Sequence, residues 1–179
     1  MNLEAEQLKQ LGLQQFQKNQ FKAASESFQN CVTLLEFDGM TPESAEMRNN
    51  LAVALVRIKC YQEALQALQG TPEAFLAAGD EQKQGMAFAN LGNALEGLKE
   101  NEAAIEAYEK AIECFKTCGE KKFLSITLKY LSDLQMKSGK QYQALASLQS
   151  SYEESPEANL KTNFFKRGLD FIINKITKR

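Results

Sequence analysis

The feature that most constrains this chain is a repeat with a period of forty residues. When the sequence is shifted by that length, leucine, a small residue, alanine and a large apolar residue return at the same positions in four copies. Such a pattern predicts an array of similar units that stack on one another, because one unit alone cannot bury its apolar face. The four columns are Leu11, Leu51, Leu91 and Leu131; Gly12, Ala52, Gly92 and Ser132; Ala24, Ala64, Ala104 and Ala144; and Phe28, Leu68, Tyr108 and Leu148.

The clearest copy, Gly85 to Cys118, predicts two amphipathic helices, because its apolar residues recur every three to four positions on either side of a polar stretch. Asn101 is the turn former expected in that polar stretch. We expect Gly92 and Ala104 to let the two helices approach closely where they cross. Tyr108 is then expected to fill the wider space one turn beyond.

Glycine and proline mark the expected helix ends. A Thr or Ser followed by Pro predicts a hydroxyl cap with proline at the first helical position. Because Gly70-Thr71-Pro72 falls inside the second helix of copy two, we expect that helix to stop near Gln69 and restart at Pro72 as a short piece ending at Gly79. The other expected ends are Gly39, Gly119 and Asn159, where a left-handed residue closes a helix, and the starts at Thr41-Pro42 and Ser155-Pro156.

Leu91-Gly92 followed by Ala104, Tyr108 and Ala111 resembles the tetratricopeptide repeat, and the long period resembles the subclass found in kinesin light chains and G-protein signalling modulators. The resemblance implies an all-α fold with four tandem helix-turn-helix repeats in a right-handed superhelix. Arg48 departs from it, because a large apolar residue is usual there. One domain, 1–179, is expected, with repeats at about 5–40, 45–80, 85–120 and 125–155 and a capping helix at 156–177.

Charge is distributed unevenly along the chain. Residues 1–120 hold 18 acidic and 10 basic residues, whereas residues 121–179 hold 5 acidic and 11 basic residues. The last part, from Pro156 onward, combines helical apolar spacing with most of those bases. Its first interpretation is a helix that covers the open end of the array. Its second is a basic amphipathic helix that contacts a membrane surface or a partner.

The sequence lacks the residues that several classes of function require. The chain contains no histidine and no glycine-rich phosphate loop, so we expect neither catalysis nor a bound cofactor or metal ion. The four cysteines are expected to be reduced structural thiols. No finger motif or basic-aromatic pattern indicates nucleic-acid binding. The polar start of the chain and the lack of an eighteen-residue apolar run predict no secretion signal and no transmembrane segment, hence a cytoplasmic protein.

What remains is binding to a protein or peptide. The resemblance implies that the first helix of each repeat lines a concave groove, where exposed side chains contact the partner. Asparagine offers a donor and an acceptor to a peptide backbone, and lysine and arginine offer charge to a carboxylate. The predicted groove residues are Lys9, Phe16, Asn50, Arg57, Met86, Asn90, Asn93, Lys129, Tyr130 and Lys137.

The clamp that some tetratricopeptide domains use for acidic chaperone tails is only partly present. Lys9 and Asn50 match that motif, but Leu13, Met86 and Asn90 stand where Asn, Lys and Arg belong. Apolar residues such as Met86 predict a groove with mixed contacts, to an extended peptide or a helix. The sequence therefore favours a non-catalytic adaptor. Its alternatives are a self-associating homo-oligomer and a protein at a membrane surface.

Overall fold

The computed structural model describes residues 3–36 and 41–155, and these residues form nine α-helices and no strands. The predicted capping helix, Gly39 and Asn159 lie outside the described residues. The helices are α1 (Leu3–Gln17), α2 (Phe21–Leu35), α3 (Pro42–Arg57), α4 (Tyr61–Leu68), α5 (Thr71–Ala77), α6 (Glu81–Gly97), α7 (Asn101–Cys118), α8 (Lys121–Lys137) and α9 (Gln141–Glu154).

The helices are arranged as four helix-turn-helix repeats, as the period predicts. Within the repeats, α1 packs on α2, α3 on α4, α6 on α7 and α8 on α9. Successive repeats then pack through α2 on α3, α4 on α6, and α7 on α8. Each repeat therefore contacts its neighbours along the chain, which is the arrangement of a stacked array. The all-α repeat fold is confirmed.

The same tight turn joins the two helices of every repeat. In repeat three the amide of Glu100 donates to the carbonyl of Leu95 at 3.0 Å, which closes the end of α6. That closure needs a left-handed residue one position earlier, and this residue is Lys99, so the prediction that Asn101 forms the turn is wrong. Asn101 is instead the first residue of α7. The left-handed residues of the four turns are Asn19 (φ 58°), Lys59 (64°), Lys99 (65°) and Gly139 (75°).

The second helix of repeat two is interrupted where the sequence predicts it. Gly70 has a φ of 75°, so α4 ends at Leu68 and α5 begins at Thr71. The expected left-handed ends at Gly79 and Gly119 are also confirmed, and Thr41 caps α3 through its side chain. The predicted hydroxyl cap at Thr71 is wrong. Its hydroxyl donates back to the carbonyl of Leu68 at 2.9 Å, because Gly70 occupies the capping position.

Small residues on the first helix of a repeat admit a large side chain from the second. A Cβ atom on Gly92 would lie 2.5 Å from the Tyr108 ring, and one on Gly12 would lie 2.6 Å from the Phe28 ring. The Tyr108 ring therefore packs directly on Gly92. The sequence predicts instead that Tyr108 fills a wider space one turn beyond the helix crossing, so that prediction is wrong. The reason is size, because only a residue without a side chain leaves room for an aromatic ring at that distance.

Arg48 departs from the repeat pattern, and its side chain donates hydrogen bonds to the end of the interrupted helix α4. Its Nε donates to the carbonyl of Ala67 at 2.7 Å and its Nη2 to the carbonyl of Gln66 at 3.1 Å. Its Nη1 also pairs with Glu36 at 3.0 Å. The last carbonyls of any helix lack partners within the helix. Arg48 thus supplies at the end of α4 the donors that a continuous helix would have supplied.

Candidate functional site

The first helices of repeats two, three and four form a groove. Helices α3, α6 and α8 line it, together with the end of α7, and it encloses about 460 Å³. We call this cavity the concave groove. It brings together six of the ten predicted site residues: Asn50, Arg57, Met86, Asn90, Asn93 and Tyr130.

The three predicted asparagines differ in how free their side chains are. The amide nitrogen of Asn90 donates to Oδ1 of Asn49 at 2.9 Å, which links α6 to α3. The Oδ1 of Asn93 accepts a hydrogen bond from the Tyr108 hydroxyl at 2.8 Å. Both retain unused polar atoms, since an amide offers two donors and an acceptor with two lone pairs. Among the described residues, Asn50 is the amide of this set with no side-chain hydrogen bond.

Tyr108 lies behind the groove and contacts two of its lining residues, Asn93 and Tyr130. Its side chain is buried, and its hydroxyl also donates to Glu96 at 3.2 Å. Burial, with the nearby charge of Glu96 as a second cause, raises the pKa of Tyr108 far above its usual range, so the hydroxyl keeps its proton and remains a donor. The Tyr108 ring stacks on Tyr130 with centroids 6.2 Å apart. Tyr130 is therefore held in place while its outer face stays exposed.

Arg57 lies in the groove lining at the end of α3, where an aromatic pair supports it. Its Cζ lies 4.4 Å from the centroid of the Phe21 ring, and Phe16 contacts that ring edge-on at 5.1 Å. Arg57 is exposed, and within residues 3–36 and 41–155 no carboxylate pairs with it. A guanidinium held on a ring and lacking a counter-charge is suited to receive a carboxylate. Phe16 thus supports the groove from behind and does not line it.

Comparison with known proteins agrees with this geometry. Residues 43–117, which span α3 to α7, match the family described as tetratricopeptide repeat. Repeats two and three of the array thus match this family. A search of curated protein sequences returns no significant match.

Solved structures show a similar fold over most of the chain. A crystal structure of MamA shares 24% identity, covers 84% of this chain and 77% of its own, and gives a TM-score of 0.65. MamA 41-end from Desulfovibrio magneticus RS-1 shares 22% identity over 84% of this chain and 75% of its own, with a TM-score of 0.65. BtubC (BKLC) from P. vanneervenii shares 14% identity over 94% and 80%, with a TM-score of 0.61. At such identities the likeness concerns the fold alone.

Three predicted lysines do not line the concave groove of the array. Lys9 pairs with Glu46 at 3.1 Å and Lys137 pairs with Glu96 at 2.7 Å, in each case with the neighbouring repeat. The hydrogen bond to Glu96 raises the pKa of Lys137 and keeps it charged. Lys129 is exposed on α8 but outside the lining. The partners of Lys9 and Lys137 lie 37 and 41 residues away, so opposite charges about one period apart are the sequence signal that identifies such pairs.

The groove of the array also contains apolar residues that the predicted site did not include. Ile126 is 41% exposed in it, and Phe123 stacks on the buried Phe115 with centroids 5.5 Å apart. Ile126 and Tyr130 are four residues apart on α8, which places them on one face of the helix. That spacing is the signal that could have identified Ile126. The groove is thus more apolar on the side of repeat four than the predicted residues alone indicate.

The cysteines and the described acidic side chains are the candidates for metal ligands or reactive groups in the array. All four cysteines are free thiols, and burial raises the pKa of the Cys31 and Cys114 thiols, which keeps them protonated. In the described part of the chain, no three His, Cys, Asp or Glu side chains are grouped as metal ligands would be. None of the described helices has the length and apolar character needed to cross a membrane.

Proposed function

We propose that this protein is a non-catalytic adaptor that holds a segment of a partner protein in its concave groove. The observation that carries the proposal is the composition of that groove. It combines the free amide of Asn50, an arginine that no described carboxylate pairs with, and exposed apolar side chains in one continuous cavity. Stacked repeat arrays bind partners along such extended concave surfaces.

The arrangement of these groups defines the partner that fits best. Asn50 lies on α3 with its amide available for the backbone of a bound peptide. Arg57 lies on the same helix and is suited to a carboxylate. Across the cavity, Ile126 and Tyr130 on α8 expose apolar surface. A partner segment with an acidic side chain followed by a large apolar one would satisfy both sides, whether it binds as an extended strand or as a helix.

The test is affinity capture of partners from a lysate, with substitutions inside and outside the groove. Ile126→Ser removes an apolar side chain from the groove, and Asn50→Ala removes its free amide. Leu76→Ser is the matched control, because Leu76 is 61% exposed on α5 and does not line the groove. We expect the wild-type chain and the Leu76 variant to recover the same partner, and the double groove variant to lose it.

Thermal melts of all variants would show that the loss is not caused by unfolding. We expect small changes, since substitutions of exposed residues usually alter stability by less than about 0.5 kcal/mol. Recovery of the same partners by the groove variant would place the binding surface elsewhere and contradict the proposal. The capture should also weaken when Arg57 is replaced by Ala, and the weakening should shrink at high salt because screening reduces the charge contribution.

A further inference from the structure

A second cavity lies on the other side of the array from the concave groove. Helices α2 and α4 both pack on α3 side by side, and between them opens a cleft of about 670 Å³. We call it the outer cleft. Its floor consists of apolar side chains, of which Val32 and Leu51 are buried and Leu55 is half-buried. No residue of the concave groove lines it.

The charge of the outer cleft is not balanced. Its lining carries three carboxylates, Glu26, Glu36 and Glu63, and in the described structure Arg48 is its one basic side chain. Arg48 is already occupied by Glu36 and by two carbonyls at the end of α4. Glu26 and Glu63 are exposed, and no base among the described residues pairs with them. The cleft is therefore an acidic opening above an apolar floor.

Lysine and arginine side chains have the shape and charge for this opening. Their aliphatic stems can lie against Leu55 and Val32, while their charged ends reach the carboxylates at the rim. Amide side chains of the rim, such as Gln29, supply additional acceptors. A basic segment with apolar residues among its charges would thus complement both the floor and the rim.

The chain itself contains such a segment. Residues 157–179 hold six basic and two acidic residues together with several aliphatic ones, whereas residues 1–120 have eight more acidic than basic residues. The segment follows α9 in repeat four, whereas the outer cleft lies between repeats one and two. Helices α5 to α8 lie between the cleft and α9, after which the segment begins, and packed helices add about 10 Å for each layer. A second copy can bring the two together.

We propose that the outer cleft binds the basic segment 157–179 of a second copy of this chain. The contact is head-to-tail, so each copy retains one cleft and one segment for further copies, and short oligomers can grow. The attraction between opposite charges would make the association stronger at low ionic strength. This inference concerns a surface separate from the concave groove. The Ile126→Ser and Asn50→Ala variants should therefore associate like the wild-type chain.

The first test is sedimentation of the full chain over a range of concentrations at low and high salt. We expect concentration-dependent association at low salt that disappears at high salt. Glu26→Gln with Glu63→Gln should weaken it by roughly tenfold, the effect expected for two exposed charge pairs. The matched control is Glu106→Gln with Glu109→Gln, which removes two exposed acids from α7 outside the cleft and should leave association unchanged.

A mixing experiment then tests the direction of the contact. Glu26→Lys with Glu63→Lys destroys the cleft but keeps the segment, and Lys166→Glu with Arg167→Glu does the reverse. We expect each variant alone to be a monomer and their mixture to associate, through the native pair of cleft and segment and through the charge-exchanged pair. All four substitutions in one chain should restore self-association, because the charges are then exchanged between the two surfaces.

Three results would overturn the proposal. Self-association that persists in the cleft variant would exclude the cleft as the docking site. A wild-type chain that stays monomeric at low salt, but becomes less compact when Glu26 and Glu63 are replaced by Lys, would show that the segment binds within its own chain. A monomeric chain that floats with anionic vesicles, and no longer floats when Lys166 and Arg167 are replaced by Glu, would make a lipid surface the occupant.

Discussion

Repeats two and three have the same period but differ in their second helix. In repeat three, α7 runs without interruption for 18 residues, whereas in repeat two the corresponding stretch is divided into α4 with 8 residues and α5 with 7. The sequence difference is local, because Gly70-Thr71-Pro72 stands where repeat three has Lys110-Ala111-Ile112. A left-handed glycine and a proline are both poorly compatible with a helix interior.

The comparison shows that two departures from the repeat pattern occur together in repeat two, namely the interruption of the second helix and Arg48 on the first helix. Arg48 occupies the position that Phe88 occupies in repeat three, and it donates to the carbonyls that the interruption leaves open. Phe88 faces a continuous helix and has no such carbonyls to satisfy; Lys110 lies 5.7 Å from its ring centroid instead. The same array therefore tolerates either solution, provided that the backbone polar groups find partners.

The largest effect is expected when Arg48 loses its donors. Arg48→Leu should lower the free energy of unfolding by about 2 to 3 kcal/mol, because two carbonyls and Glu36 lose charged hydrogen-bond partners. Phe88→Leu is the matched change in repeat three and should cost less than about 1.5 kcal/mol, since it alters only apolar packing. Denaturant unfolding of both variants measures the difference. Equal losses would mean that Arg48 acts through packing alone.

Much of this difference could be predicted from the sequence, but not its compensation. The interruption follows from Gly70 and Pro72, whose backbone requirements are local properties of the chain. The role of Arg48 depends on carbonyls 18 and 19 residues away, which only the packing of α3 on α4 brings within reach. The same limit applies to Lys99, because lysine has no local preference for the left-handed region that the turn imposes on it.

The second prediction concerns the small residue on the first helix, which is Gly92 in repeat three and Ala52 in repeat two. It tests whether the size of this residue is matched to the large side chain that packs on it. Gly92→Ala should lower stability by about 1 to 2 kcal/mol, because its Cβ meets the Tyr108 ring, and overpacking outweighs the gain in helix propensity. In a Tyr108→Leu background the same change should be neutral or favourable, since repeat two pairs Ala52 with Leu68. A double-mutant cycle measured by thermal unfolding gives the coupling. Additive effects would contradict the direct contact.

A mirror change in repeat two serves as the control. Ala52→Gly should cost about 1 kcal/mol, because glycine lowers helix stability and Leu68 cannot use the space that an aromatic ring would fill. Sizes within a column can be predicted from the repeat alignment. The alignment does not predict which large side chain packs on each small residue, because this contact depends on how far the two helices are rotated against each other.

The candidate site shows the same division between local and distant causes. The repeat pattern places Asn50, Asn90 and Asn93 on first helices, and all three line the concave groove. Lys9 and Lys137 were predicted on the same basis, but a glutamate of the neighbouring repeat draws each of them into an ion pair. Helical position is therefore a local property that the sequence reveals. Whether a charged side chain stays free depends on the adjacent layer.

The third prediction concerns the turn that repeats two and three share. Lys99→Gly should raise the free energy of unfolding by about 0.5 to 1 kcal/mol, because the strain of a left-handed lysine exceeds the extra chain entropy of glycine. Lys59→Gly should give a similar gain, and Gly139→Lys in repeat four a similar loss. Thermal melts of the three variants make the comparison. A loss of stability in Lys99→Gly would mean that the lysine side chain contributes more than its backbone strain costs.

The smallest effect is expected at Glu46, which occupies the column of Met86 in repeat three. Glu46 joins three repeats, since it pairs with Lys9 at 3.1 Å and with Lys83 at 3.0 Å. Burial alone would raise the pKa of its carboxyl, but the hydrogen bonds from Lys83 and Lys9 outweigh burial and hold that pKa below its ordinary value of 4.5. The hydrogen bond from Glu46 in turn raises the pKa of Lys83.

A carboxyl whose pKa is lower in the folded state stabilises the protein at pH values above 4.5, and this contribution disappears as the pH falls through the folded-state pKa. Glu46→Gln should therefore cost about 0.5 kcal/mol at neutral pH and progressively less below 4.5. Denaturant unfolding at several pH values, at low and high salt, measures the difference between variant and wild type. A difference that is independent of pH would contradict this prediction, because it would mean that the charge of Glu46 does not stabilise the contact between repeats. Glu46 would then differ from Met86 of repeat three in the shape of its side chain and not through its charge.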